Sequence, residues 1–252
     1  MMQARPQGCK AKHRSPWIAR LVAVLPAIVS LCMAGPAAAQ PAASGCAFAP
    51  GGYEHADYRS QRSGLAVVER RHFTAKVERL VSGESTSTPG PDLDYTLNKF
   101  PNHHRALLAV SRLGQKLGVA QVPDMPVSVD CYFLRAIQFQ PTDTVARMLY
   151  AQHLGQTRRP EEASKQLDLT AKYADDNPLT HYNIAWVALE LKDYDRALKH
   201  AHIAYGAGID RPELRDLLVR AGKWTEPAAP ATTSAPSPAT SAASASAEAA
   251  SR

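Results

Sequence analysis

Two stretches in the C-terminal third carry apolar residues at helical spacing. Over 180–191 they are Ile184, Trp186, Val187, Ala188 and Leu191; over 196–205 they are Ala197, Leu198, Ala201, Ala204 and Tyr205. Recurrence at three and four residues describes helix faces, whereas a strand would alternate strictly. Between the two, Asp193 precedes YDRAL in an N-cap position, where its side chain accepts a backbone N–H. Pro212, with Glu213 beside it, suits the first turn of a further helix near 212–222. Upstream, HFTAKVERLV predicts a helix over 72–81, and SGESTSTPGP a long polar loop over 82–91.

The two ends of the chain break this pattern. Residues 1–20 carry Arg5, Lys10, Lys12, Arg14 and Arg20 with no acidic residue. The apolar run LVAVLPAIVSLCMAG follows, then Ala37-Ala38-Ala39 before Gln40. A basic start, a short apolar core and a small-residue site describe a secretory signal peptide, cleaved after Ala39. Pro26 interrupts the run, and a membrane span needs roughly 20 apolar residues. From 226 to 252 the chain is almost wholly Ala, Ser, Thr and Pro. With no large apolar residue, that tail buries too little surface to offset its ordering entropy. The expected organisation is signal peptide 1–39, irregular segment 40–64, helical domain 65–225 and disordered tail 226–252.

A repeat runs through the helical domain. Shifting the chain by 34 residues places Ala185 on Ala151, Ala197 on Ala163, Ile184 on Tyr150 and Leu191 on Thr157. Small residues coincide where two antiparallel helices approach most closely, and Lys192-Asp193-Tyr194 and Arg158-Arg159-Pro160 fall in the same turn. The segment YNIAWVALELKDYDRAL, together with CYFLRAIQFQP ending in Pro141, resembles the tetratricopeptide-repeat (TPR) family. A fainter copy, TLNKFPN, ends at Pro101, and the connection QKLGVAQVPDMPVSVD holds prolines that cannot sit inside a helix. The units are about 65–103, 104–143, 144–177 and 178–211. Arg147 stands where the family has a large apolar residue, and no terminal proline closes the 144–177 unit.

The resemblance implies an all-α, TPR-type α-solenoid of antiparallel helix pairs, three to four units plus a closing helix. DLDYTLNKFPNHHRALL also resembles a group of exported TPR proteins of Gram-negative bacteria without established activity. By the same resemblance, the first helices of the pairs line a concave face that binds a protein or peptide. That face would present Arg105, Leu108, Arg112, Met148, Gln152, Tyr182, Asn183 and Trp186. Asn183 matches an asparagine that TPR peptide-binders use on a ligand's backbone, while the lysines of the family's carboxylate clamp are unmatched. Trp186 has two readings, a core side chain or an aromatic anchor.

Charge and cysteines refine the setting. The formal net charge is +6, and residues 1–39 supply five of those positive charges. Without them the chain is near neutral, with no sign of a nucleic-acid-binding patch. In an exported chain Cys46 and Cys131 are expected to pair; the other reading is two separate thiols. The expected location is periplasmic or secreted, with no membrane span after signal cleavage.

Chemistry is sparse. Eight histidines follow the signal: 55, 72, 103, 104, 153, 181, 200 and 202. Metal-ligating spacings are missing, and His200 and His202, two apart on a helix, do not share a face. The expectation is partly exposed polar histidines, with His103 and His104 the sharpest candidates for acid–base work. Glu161-Glu162 and Asp175-Asp176 read as helix-end and turn carboxylates. No phosphate loop, nucleophile elbow or dinucleotide fingerprint occurs, so no cofactor is implied. The leading expectation is a non-catalytic binding scaffold. Two others stay open: an assembly subunit of an envelope complex such as polysaccharide export machinery, and an enzyme using His103 or His104.

Overall fold

The computed structural model describes residues 45–48, 52, 54–61 and 63–227. The expected signal peptide and all but the first two residues of the expected tail lie outside them. Among the described residues the fold is all-α, with ten helices and no strand. They are α1 Leu65–His72, α2 Ala75–Glu78, α3 Gly90–Lys99, α4 His104–Leu117, α5 Val129–Phe139, α6 Thr144–Gln156, α7 Pro160–Lys172, α8 Pro178–Glu190, α9 Tyr194–Gly206 and α10 Glu213–Arg220.

The α6–α7 and α8–α9 hairpins repeat element for element. All four helices have 13 residues, and each element of the second pair starts 34 positions after its counterpart. Side-chain caps begin three of them: Asp143 accepts from the N–H of Val145 and Ala146, Asn177 from Thr180, and Asp193 from Arg196. α7 instead opens on Pro160, whose missing N–H is no loss in a first turn. The inner turns are built alike. Arg158 and Lys192 both adopt left-handed backbone (φ 62 and 61), a strained conformation for non-glycine residues. The following N–H groups reach back over six residues, Arg159 to the Leu154 carbonyl and Asp193 to that of Ala188, each at 2.9 Å. These bonds satisfy the last carbonyls of α6 and α8 and fold the chain straight back.

The pairs then pack on one another. α6 contacts α4, α5, α7 and α8, so the first helices α4, α6 and α8 lie side by side. Ala151, Ala163, Ala185 and Ala197 are fully buried and let the helices approach, while Leu154, Leu167 and Ile184 fill the space between. Burying one such branched side chain contributes roughly 1.5–3 kcal/mol. Gly155 faces the Leu191 side chain at the end of α8. A Cβ there would lie 1.9 Å from Leu191 Cδ2.

The N-terminal unit departs from the helix expected over 72–81. α1 stops at His72, and only Ala75–Glu78 is helical before Leu80 turns left-handed (φ 58). Asp92, fully buried in the first turn of α3, holds the two ends of this stretch. Its carboxylate accepts from the N–H of Glu84 and Ser85, the Ser85 hydroxyl and His72, gathering the polar loop around one anion. The described residues among 45–61 contain no α-helix but are tied down. Cys46 and Cys131 are joined by a disulfide, with S–S 1.95 Å and Cα–Cα 4.9 Å. The Ala56 N–H donates to the Lys99 carbonyl, and His55 Nδ1 lies 2.6 Å from that of Asn98.

Candidate functional site

The side-by-side helices α4, α6 and α8 present a common face. Arg105 and Arg112 on it are exposed, and Leu108, Gln152, Asn183 and Trp186 are half-buried. Met148 and Tyr182, expected on this face, are instead core residues, each 5% exposed. Both belong to the main hydrophobic core, and the Tyr182 ring lies against Tyr205 of α9 and under the Arg211 guanidinium. Trp186 packs its ring against the core and donates its indole N–H to Glu190 at 3.2 Å. Arg105 pairs with Glu78 and Glu69 and lies over the Phe73 ring, while Arg112 has no hydrogen-bonded or ion-paired partner among the described residues.

Polar bonds stitch the face across its helices. Gln115 of α4 donates to Gln156 of α6 at 2.5 Å, and Gln152 of α6 donates to Glu190 of α8 at 2.7 Å. Sequence reasoning missed Gln115, Gln156 and Glu190. Their signal was their place at the end of the helical faces already singled out. Two clefts open at the same level. One of about 620 Å³, between the ends of α4 and α6, is lined by Gln115, Gln156, Asp130, His153 and Arg159. The other, of about 610 Å³ between the ends of α6 and α8, is lined by Gln152, Gln156, Arg158, Glu190 and Lys192.

From the wall of the first cleft inward, Asp130, His153 and Ser111 stand in a row. His153 Nε2 lies 3.3 Å from Asp130 and Nδ1 2.8 Å from the Ser111 hydroxyl. Burial would raise the Asp130 pKa, but His153 and Arg159 outweigh it and hold that carboxyl at about 2. The order resembles a nucleophilic relay, yet Ser111 is 3% exposed and lies behind the cleft wall, where its oxygen also accepts from Gln115. A nucleophile has to reach a substrate carbonyl. This row instead ties α4, α5 and α6 together.

His55, His72, His104 and His202 are partly exposed, as expected, and four others correct that expectation. His103, His153, His181 and His200 are all buried, between 0% and 7% exposed. His103 is the N-cap of α4: Nδ1 accepts from the Ala106 N–H, and Nε2 faces Glu69 at 3.2 Å. Burial, with Arg105 adding to it, pushes its pKa down to about 3, so it is neutral at neutral pH. His104 bonds Asp143 at 2.9 Å, and fully buried Asn102 bridges Asp143 and Asp57. Each ring nitrogen named is committed to a protein partner. Among the described residues no three His, Cys, Asp or Glu side chains come together to hold a metal ion, and no helix is long and apolar enough to cross a membrane.

No family model, no curated protein and no solved structure matches this chain.

Proposed function

We propose that this chain is a TPR-type solenoid that binds a protein or peptide on the shared face of α4, α6 and α8, outside the cytoplasm. The observation that carries the reading is the 34-residue identity of layout between α6–α7 and α8–α9, turn bonds included. A period of 34 residues, small residues at the inter-helix contacts and adjacent first helices are how TPR arrays are built. Such arrays bind along the rows of their first helices, and here that row carries Arg112, Gln152, Asn183 and Trp186. Amide side chains and an aromatic edge suit an extended peptide, whose backbone offers both donors and acceptors. The basic, apolar and small-residue order of residues 1–39 supports export to the periplasm or beyond.

The test is affinity capture from envelope and secreted fractions with the full chain, beside an Arg112→Ala, Asn183→Ala double variant. A partner held by the parent chain and lost from the folded variant supports the reading. Equal capture by both removes the face from consideration.

A further inference from the structure

Residues 45–48 lie on α5 as a peptide lies on a receptor. Arg135 donates from Nε to the Cys46 carbonyl at 2.7 Å and from a terminal nitrogen to the Ala47 carbonyl at 2.9 Å. Its guanidinium also sits 5.2 Å from the centre of the Phe48 ring and 5.9 Å from that of Tyr132. One nearly buried arginine thus reads two successive carbonyls and the aromatic side chain that follows them. Two charge-assisted bonds and a cation–π contact let one arginine hold main chain and side chain together. The anchor is present as well: the disulfide from Cys46 to Cys131, one turn before Arg135 on the same helix.

The bridge is set up to open. Cys131 is the third residue of α5, at the positive end of the helix dipole, and Cys46 is the more exposed partner. A dithiol attacking the Cys46 sulfur expels Cys131 as a thiolate, the form that a helix N-terminus favours. The neighbouring Asp130 opposes this, but its charge is already paired with Arg159 at 2.6 Å. The dithiol's second sulfur then displaces Cys46. Two electrons and two protons pass from dithiol to disulfide, leaving two protein thiols and an oxidised reductant.

We propose that the Cys46–Cys131 bridge is a thiol-controlled latch that closes, with the chain's own residues 45–48, a docking site on α5 for an extended peptide with an aromatic side chain. This site is separate from the shared face of α4, α6 and α8, and stands or falls without it.

The test uses the full chain carrying Cys46→Ser, which leaves Cys131 as the cysteine under the latch; Cys9 and Cys32 are replaced by serine in the same chain. The probe is a tetrapeptide of the sequence of residues 45–48, Gly-Cys-Ala-Phe, activated as an aromatic mixed disulfide. A second probe has alanine in place of the phenylalanine. The latch predicts capture of the first peptide on Cys131 at least tenfold faster than the second, and loss of that advantage in Arg135→Ala. Arg135→Lys, which keeps the charge without the two-pronged donor, serves if the alanine variant does not fold. Capture of both peptides at one rate overturns the docking site. No capture of either, with the protein folded, overturns the latch, because residues 45–48 then stay in place without the bond.

Discussion

The rings of His181 and His200 stack 5.0 Å apart in the seam between α8 and α9, with Nδ1 facing Nδ1 at 2.8 Å. His181 Nε2 lies 2.9 Å from the Asp175 carbonyl, which only accepts, so that nitrogen carries a proton. Of the two facing Nδ1 atoms one must donate and the other accept, so at least one carries no proton. Burial, then His181, pushes the His200 pKa down to about 4.

Acid should therefore loosen the fold before its carboxylates titrate. Below the ordinary histidine pKa near 6.5 the unfolded chain takes up protons at positions 103 and 200 that the folded chain refuses. Stability is full above pH 6.5 and falls as pH drops toward 4. Each histidine contributes at most about 1.4 kcal/mol per pH unit. Urea unfolding between pH 7 and 5 reads this slope. His200→Gln should flatten it, and an unchanged slope would place the titration elsewhere.

The buried positions of the expected binding face should behave as core. Met148→Ala and Tyr182→Ala are each expected to cost about 2–5 kcal/mol in equilibrium unfolding. Half-buried Trp186→Ala should cost less, below about 3 kcal/mol, and should weaken partner capture more than Trp224→Ala does. A Trp186 variant as unstable as the other two would move that ring into the core and out of the site.

Asp143 joins three segments at one carboxylate. It caps α6 and accepts from Asn102 and His104, and it is 1% exposed. Asp143→Ala should cost about 3–5 kcal/mol, because the buried partners lose their acceptor. A double-mutant cycle with Asn102→Ala should return a coupling of about 0.5–3 kcal/mol. Strict additivity would mean that the bridge contributes nothing.

Gly155 offers a test of how closely the pairs pack. Alanine is normally better than glycine inside a helix, by roughly 1 kcal/mol. Here the new methyl meets Leu191 at 1.9 Å, so Gly155→Ala should destabilise by about 1–3 kcal/mol. Leu191→Ala in the same chain should recover part of that loss. A Gly155→Ala variant more stable than the parent would show that the Leu191 side chain swings aside at little cost.

The residues alone determined the helical class, the two turns at 158–160 and 192–194 and the cap at Asp193. Those features rest on interactions within a few positions, where spacing along the chain is spacing in space. The 34-residue register belongs with them, since equal repeats put equal residues at equal contacts. Tertiary structure decided the rest. Asp92 lies 20 residues from His72 and eight from Glu84, yet it bonds to both, across the stretch where local pattern predicts a helix over 72–81. Met148 and Tyr182 are buried in the core, Tyr182 against Tyr205 of α9 and Arg211, and nothing in their own helix says which side a neighbour takes. The buried histidines follow the same logic. His153 is satisfied by Ser111, 42 residues away, and His103 by Glu69, 34 residues away. A polar side chain is tolerated inside only when its partner arrives, and that partner is supplied by the packing of the helices.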